Sequence, residues 1–426
     1  MSAFDTIIGY ETIKNELIQL CDMIHNKDVY TQLGARLPRG ILLYGDPGLG
    51  KTLMAKCFIE ESGLESYTVR RNMGTDNFVA SITDTFRKAK ENAPCIVFLD
   101  DMDKFANEDE KHCDAEEYVA VQAGIDETKG SDVFVFATVN EMHKLPRSLR
   151  RSGRFDRRIE LDCPTERDAA QIIAHYLKGK KVSPDVNLED VAMMISYSSC
   201  AELETILNEA AIHAAYARHD SITMSDLTKA VLRTHYDAPD NYVKTSGEDL
   251  RKIALHEAGH LVVCEALCPG SVGLASLRES GRSSTGGFIR RCKPVKRRAH
   301  HILISLAGKA AVELYYSDTC ASGCHSDIER AFEEIRTAIS ESGTNGFGMI
   351  DVADHRFPGS SESFTARNEA VVHAELERYM YKARDILLRN RAFLEKATAA
   401  LVEKDTLLYS DIKALRESID LVSVEI

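Results

Sequence analysis

The stretch GILLYGDPGLGKT, residues 40–52, joins an apolar strand candidate to a glycine-rich loop and predicts the fold of the first part of the chain. Its last eight residues match the pattern G-x-x-x-x-G-K-[ST], and a helical segment follows them. In that context the N–H groups of the loop and the N-terminal end of the helix point at phosphate oxygens. A purely structural glycine-rich turn is the alternative, but the strand–loop–helix order favours a nucleotide-binding loop.

The loop and a second strand together predict an ATP–magnesium site. We expect Lys51 to reach the β- and γ-phosphates and Thr52 to hold Mg²⁺. The segment IVFLDDMDKF (96–105) is an apolar strand with an acidic end, which places Asp100 near Mg²⁺ and Asp101 near the attacking water. Two acids can also simply cap a strand, but the loop favours the catalytic interpretation. The loop residues expected to bind nucleotide are Gly45, Asp46, Pro47, Gly48, Leu49, Gly50, Lys51 and Thr52.

Short apolar segments and helical stretches alternate up to residue 163, which predicts an α/β domain with a parallel sheet. The strand candidates are residues 40–44, 66–70, 95–99, 133–138 and 158–162. A helical region, a polar linker and a mainly α-helical region follow, with a short strand or hairpin expected within 271–292. We therefore divide the chain into a nucleotide-binding α/β domain, a helical lid, a linker and a mainly α-helical domain, at residues 1–163, 164–236, 237–248 and 249–426.

Composition excludes some partners. A formal net charge of -13 argues against binding to nucleic acid or to an anionic membrane surface. The 11 cysteines are scattered without a C-x-x-C pair, which is typical of reduced thiols. No signal peptide precedes the first strand, and the apolar runs fall short of the ~20 residues of a spanning helix. We expect a cytoplasmic protein without direct membrane insertion.

The segment LHEAGHLVV, residues 255–263, predicts a zinc site. On a helix His256 and His260 share one face, and Glu257 is placed to accept a proton from the attacking water. Two surface histidines are the alternative. Catalytic zinc needs a third protein ligand, which the motif lacks and which spacing alone does not identify. The local candidates are Glu313, Asp318, His325, Asp327 and the pair His300 and His301.

The motifs GDPGLGKT, APCIVFLDDMDKF, ATVN and RRSGRFDR together resemble the AAA+ ATPase module, most closely that of the FtsH-like proteases. The resemblance implies that Asn140 senses the γ-phosphate. It also implies that Arg151 and Arg154 are arginine fingers that act on a neighbouring subunit. The nucleoside contacts implied by the resemblance are Ile8, Gly9 and His175.

The second half is similar to the FtsH peptidase domain through LHEAGHLVV, LAGKAAVELYY (306–316) and SGCHSDIERAFEEIRT (322–337). In that family an aspartate completes the zinc site, and the matching residue is Asp327. The stretch at 286–288 resembles the family's strand beside the zinc, along which a substrate can pair. The resemblance implies zinc, ATP and magnesium as cofactors, a homo-oligomer in the form of a hexameric ring, and unfolded polypeptides as substrates.

Three departures from that family carry expectations of their own. We expect the protein to lack the membrane anchor that is typical of the family. Asp101 stands where the family has glutamate, and its shorter side chain predicts slow ATP turnover with intact nucleotide binding. The pore-loop positions are Met73 and Gly74 instead of an aromatic residue followed by a small residue and glycine, which predicts weak substrate translocation. Phe78, slightly later, fits better as a core residue of the next helix.

Three functions remain open at this point. The first is an ATP-dependent zinc endopeptidase that unfolds and degrades proteins, with Glu257 as general base. The second is a zinc peptidase that cuts unfolded peptides with a weak or uncoupled ATPase. The third is an AAA+ remodelling or adaptor protein with an inert peptidase, which the complete H-E-x-x-H pattern disfavours.

Overall fold

The computed structural model divides the chain into two compact units, residues 1–178 with 197–205 and residues 179–196 with 206–426. The residues of the predicted lid fall into both units, and the division into lid and linker stays a prediction. The structure describes residues 2–71, 77–106, 115–151, 153–238, 246–280, 286–295, 297–316, 324–342 and 362–425.

The first unit is built on a five-stranded sheet with strand order β2-β3-β4-β1-β5, in which every pairing is parallel. The strands are β1 (Gly40–Tyr44), β2 (Glu65–Val69), β3 (Cys95–Leu99), β4 (Val133–Val139) and β5 (Arg157–Glu160). All five strand candidates and the parallel α/β sheet are confirmed. The interior strand β3 is buried along its whole length, as expected for a parallel sheet covered on both faces.

Helices precede, connect and follow these strands, and the parallel strand order brings the acidic and phosphate-binding segments to one end of the sheet. The helices are α1 (Glu11–His25), α2 (Lys27–Gln32), α3 (Lys51–Ser62), α4 (Phe78–Glu91), α5 (Ala115–Glu127) and α6 (Glu166–Leu177). Helix α3 begins directly after Gly50, whose φ of 92° lies in the left-handed region that glycine tolerates. Because the strands are parallel, the loop after β1 and the acids after β3 meet at their carboxyl ends.

The second unit is mainly α-helical and carries a small antiparallel sheet. Its helices are α7 (Leu188–Met194), α8 (Cys200–Tyr216, which begins in the first unit), α9 (Met224–Tyr236), α10 (Gly247–Leu267), α11 (Arg298–Tyr315), α12 (His325–Ser342), α13 (Glu362–Arg389), α14 (Arg391–Lys404) and α15 (Tyr409–Glu417). Its strands are β6 (Val272–Ser276), β7 (Phe288–Arg291) and β8 (Thr406–Leu408), in the order β7-β6-β8. The hairpin expected within 271–292 is confirmed, whereas β8 was not predicted.

Helix α10 lies at the centre of this unit. Glu248 and Asp249 in its first turn suit the positive end of the helix dipole, and Pro269 and Gly270 follow its end. It packs so closely on α11 that a side chain at Gly259 would come within 2.6 Å of the Ala307 carbonyl oxygen. The helix therefore places Glu257, His260 and Glu265 inside a packed core.

A fully buried carboxylate fixes the C-terminal end of α10. Glu265 accepts hydrogen bonds from the backbone N–H groups of Gly270, Ser271 and Val272 at 2.7–2.9 Å. It also pairs with the guanidinium of Arg416 on α15, at 2.6 Å. Since a buried charge is stable only when it is paired and hydrogen-bonded, this cluster joins α10, β6 and α15 at one point.

Among the helices in the described ranges, none is both long enough and apolar enough to cross a membrane.

Candidate zinc and nucleotide sites

Three side chains converge between α10 and α12. The Nε2 atoms of His256 and His260 lie 3.0 Å apart, and Asp327 Oδ2 lies 3.2 Å from each of them. The histidines are one turn apart on α10, and Asp327 lies in the first turn of α12, where the helix dipole favours a carboxylate. Within the described part of the chain, this is the one cluster of His, Cys, Asp and Glu side chains that could hold a metal ion.

The spacing and the donor types fit zinc. In a tetrahedral site with bonds of about 2.0–2.1 Å, two ligand atoms lie about 3.3 Å apart. Two imidazole nitrogens and one carboxylate oxygen are a ligand set typical of catalytic zinc, which keeps a fourth position open.

A glycine on α11 makes space for this cluster. A Cβ atom at Gly308 would lie 2.4 Å from His256 Cε1 and 2.5 Å from His260 Nε2. Such distances are far below van der Waals contact, so any side chain there would displace both imidazoles. The sequence analysis gave no role to Gly308, which lies within LAGKAAVELYY, because sequence alone does not show which residue faces the histidines.

Backbone contacts set the orientation of His260. Its Nδ1 lies 2.6 Å from the Ile304 carbonyl oxygen, which can only accept, so Nδ1 carries a proton. A fixed Nδ1–H directs Nε2 toward the cluster, which is the outer-sphere arrangement usual for ligating histidines. The Nδ1 atom of His256 instead lies 3.8 Å from the sulfur of the buried Cys324.

Burial and charge coupling compete in the titration of the cluster. Burial opposes ionisation of Asp327, but His260 and His256 outweigh it and hold the pKa of Asp327 well below its usual range. Burial likewise opposes charging of His260, but Asp327 outweighs it and raises the pKa of His260 to about 9. For His256, burial prevails over Asp327 and lowers the pKa. The three side chains thus form one electrostatic unit in which the carboxylate is ionised.

Glu257 lies beside this unit, buried in the core. Burial raises its pKa to about 8, although His260 opposes the shift. The backbone at Gly287, with a φ of 84°, approaches so closely that a Cβ there would lie 2.5 Å from Glu257 Oε1. Gly287 directly precedes β7, which is an edge strand of the small sheet. A carboxylate, a cluster with metal-ligand spacing and a strand edge therefore lie next to each other.

The other local candidates for a third ligand are placed differently. Glu313 pairs with Arg384 and Lys309, at 2.5 Å and 2.7 Å. The exposed His325 begins α12, and His301 Nε2 lies 2.8 Å from the Val295 carbonyl oxygen. His300 is partly buried on α11, and burial lowers its pKa. Asp318 lies outside the described residues.

Replacing Gly308 by Ala is expected to lower zinc affinity at least about tenfold, since the new methyl group would push both histidines off their positions. Competition for zinc against a chromophoric chelator measures this directly. Lys309→Ala on the same helix is the matched control, because it leaves the space beside the histidines unchanged. Equal zinc affinities of Gly308→Ala and the parent would show that the histidines are not held against α11.

At the carboxyl edge of the first sheet, the predicted phosphate loop and acids meet. The buried Lys51 Nζ donates to the carbonyl oxygens of Gly45 and Asp46, both at 2.7 Å, and burial lowers its pKa. Thr52 Oγ1 donates to Asp100 Oδ1 at 2.9 Å, which brings both expected magnesium ligands together. Thr138 on β4 donates to the same oxygen at 2.9 Å. This last partner was missed, because nothing local distinguishes it from other strand residues.

Asp101 follows with a left-handed backbone, φ 54° and ψ 50°. Its Oδ1 lies 3.4 Å from the side-chain nitrogen of Asn140, and its Oδ2 lies 2.6 Å from Lys104 Nζ. The neighbouring Asp103 is buried and accepts from the backbone N–H groups of Asn140 and Glu141. The 3.4 Å distance brings Asn140 and Asp101 into contact, although the sequence analysis derived them from separate motifs.

The expected nucleoside residues lie near α6. Gly9, with a φ of 73°, leaves no space for a side chain against Asp168 of that helix, and His175 is exposed in its last turn. Ile8 is partly buried in the same N-terminal segment. The first turn of α8 also contacts the loop, since Ala201 N donates to the Gly48 carbonyl oxygen at 3.1 Å, a contact that sequence reasoning missed.

The two candidate arginine fingers differ in environment. Arg151 is exposed. Arg154 pairs with Asp126 of α5 through two hydrogen bonds of 2.8 Å and 3.3 Å, and these lower the pKa of Asp126 to about 2. To act on a neighbouring subunit, Arg154 would have to break its hydrogen bonds with Asp126.

The pore-loop positions Met73 and Gly74 lie outside the described residues. Phe78 begins α4 and packs edge-to-face on Phe105, with ring centroids 5.4 Å apart. It is partly buried against the core of the first unit, as expected for a core residue of that helix.

Comparison with known proteins gives a family match for each of the two halves of the chain. Residues 41–163 match the ATPase family associated with various cellular activities (AAA), and residues 243–415 match peptidase family M41. An ATP-dependent zinc metalloprotease FtsH 3 from Symbiobacterium thermophilum is 30% identical over 98% of this chain and 71% of its own length. The FtsH of Thermus thermophilus is 30% identical over 99% and 72%, and that of Streptobacillus moniliformis is 32% identical over 97% and 64%.

Proposed function

Because the chain belongs to the FtsH family of ATP-dependent zinc metalloproteases, we propose that the cluster on α10 and α12 is its peptidase centre. The enzyme class and the cofactors zinc, ATP and magnesium follow from the family. The assignment of roles to residues is the proposal: His256, His260 and Asp327 hold zinc, and Glu257 is the general base. The observation that carries it is the convergence of three ligand atoms next to a buried carboxylate.

In this proposal the residues divide the work of peptide hydrolysis. Zinc, when bound, supplies a Lewis acid that polarises water and the peptide carbonyl. Glu257 accepts the proton of the attacking water and then delivers it to the leaving amine. It has to be ionised for the first transfer, and a positive charge nearby favours that form in spite of burial. The outer edge of β7 binds the substrate as an added strand.

We further propose that the first unit uses ATP to deliver unfolded polypeptides to this centre. Lys51 contacts the phosphates, Thr52 and Asp100 hold Mg²⁺, and Asp101 orients the water that attacks the γ-phosphate. Asn140, Ile8, Gly9 and His175 complete the nucleotide site. Arg151 and Arg154 act on the neighbouring subunit of a homo-hexameric ring. None of the nine described cysteines forms a disulfide, which supports a reducing, cytoplasmic location.

Replacing Asp327 by Asn tests the assignment of the third ligand. We expect zinc affinity to fall more than about a hundredfold, since even outer-shell substitutions cost 10- to 100-fold, and peptide cleavage to fall with it. Zinc content is measured after dialysis, together with cleavage of a short fluorogenic peptide. His325→Ala is the matched control, because this exposed histidine begins the same helix. Loss of zinc in His325→Ala but not in Asp327→Asn would refute the assignment.

A zinc peptidase with slow, weakly coupled ATP turnover is the second candidate. It is favoured by the short Asp101 side chain and by its contact with Lys104.

A further inference from the structure

The water-orienting carboxylate proposed for ATP hydrolysis has a cationic partner that neither the motifs nor the mechanism uses. Lys104 Nζ lies 2.6 Å from Asp101 Oδ2, and the two side chains are 59% and 19% exposed. We propose that Lys104 is a positioning residue that restrains Asp101 and slows ATP turnover. This inference rests on the proposed role of Asp101.

The contact is a consequence of the local backbone. Residues Met102–Lys104 form a 3₁₀ turn that Asp101 precedes, and Lys104 N donates to the Asp101 carbonyl oxygen at 2.9 Å. This hydrogen bond folds the chain back by three residues and brings Lys104 close to Asp101. The fully buried Met102 anchors the turn. The backbone of the turn therefore places the two side chains within reach of each other.

Both oxygens of Asp101 are engaged. Oδ2 faces the ammonium of Lys104, and Oδ1 faces Asn140 at 3.4 Å. A carboxylate that orients water must direct a lone pair at that water. The ammonium fixes the carboxylate in another direction and reduces the negative charge that attracts the water's proton. Both effects raise the barrier to hydrolysis without acting on nucleotide binding.

The expected size of the effect follows from exposure. An exposed ion pair is weak and is screened by solvent, so removing it changes the rate by at most about fivefold. We expect Lys104→Met, which keeps the length of the side chain but not the charge, to raise kcat for ATP about two- to fivefold. The KM for ATP should stay within about twofold, because Lys104 is not assigned a contact with the nucleotide.

The experiment compares the full chain with five variants. Lys104→Met is the test, Lys104→Arg keeps the cation and should keep the parent's turnover, and Asp101→Asn removes the acceptor. In the Asp101→Asn background, Lys104→Met should have no effect, since the lysine acts through the aspartate. The matched control is Lys404→Met, which removes an ion pair of the same 2.6 Å length, with Asp411, from the other unit.

A binding measurement complements the rates. ADP together with aluminium fluoride imitates the transferred phosphoryl group, so its affinity reports transition-state stabilisation. We expect Lys104→Met to bind this combination about two- to fivefold more tightly than the parent, with ADP affinity unchanged. Suppose that Asp101→Asn is slow but that Lys104→Met has a turnover and an analogue affinity no higher than the parent's. This result would overturn the role of Lys104 and leave the proposed role of Asp101 standing. Unchanged turnover in Asp101→Asn would overturn the proposed role of Asp101 as well.

Discussion

Replacing Glu257 by Gln is expected to reduce peptide cleavage about 10²- to 10⁴-fold while zinc stays bound. The amide has nearly the same shape as the carboxylate but cannot accept the proton of the attacking water. Glu257 is buried and supplies none of the three converging ligand atoms, so its replacement should leave zinc affinity unchanged. Initial rates on a short fluorogenic peptide, with zinc content measured on the same samples, test this expectation.

The matched control for that variant is Glu248→Gln, an exposed glutamate in the first turn of the same helix. It should keep the parent's cleavage rate and zinc content. If Glu257→Gln cleaved the peptide at the parent's rate with zinc bound, another group would have to be the general base, and the assignment of the centre would be wrong.

The second large effect is expected from Lys51→Ala, which should reduce ATP hydrolysis about 10²- to 10³-fold, the usual consequence of removing one preorganised donor. Lys51 is held at the loop by the carbonyl oxygens of Gly45 and Asp46, ready to reach phosphate oxygens. Degradation of a protein substrate should be lost with it. Cleavage of a short peptide should persist, because a peptide needs no ATP-driven delivery. Parallel assays of ATP hydrolysis, protein degradation and peptide cleavage measure all three.

Lys56→Ala, an exposed lysine on the same helix α3, is the control for that experiment and should behave as the parent. Continued protein degradation by Lys51→Ala at the parent's rate would show that hydrolysis at this site does not deliver the substrate.

Local patterns predicted the elements of the fold well. The five strands of the parallel sheet and the helix of the H-E-x-x-H motif follow from apolar runs, glycine-rich turns and i, i+4 spacing, which are properties of neighbouring residues. For the same reason the residues alone left the third ligand open. Asp327 lies 67 residues after His260, and only the packing of α10 and α12 on the same helix α11 brings them to 3.2 Å.

Sequence reasoning missed the residues whose role depends on tertiary contacts. Gly308 matters because α11 passes beside two histidines, and Thr138 because β4 is the neighbour of β3. Glu265 looks like any glutamate near a helix end until its three backbone donors and Arg416 are seen. Lys104 is the exception, since its Asp-x-x-Lys spacing from Asp101 is visible in the sequence at the end of the strand.

The coupling of ATP to zinc-dependent proteolysis is tested most directly by degradation of a fluorescent unfolded protein and of a short peptide. Each is measured with ATP, with ADP and with a zinc chelator. The account predicts that the protein is degraded only with ATP, that the peptide is cut with either nucleotide, and that the chelator stops both. Degradation of the protein at equal rates with ATP and ADP, or cleavage of the peptide that survives removal of zinc, would contradict it.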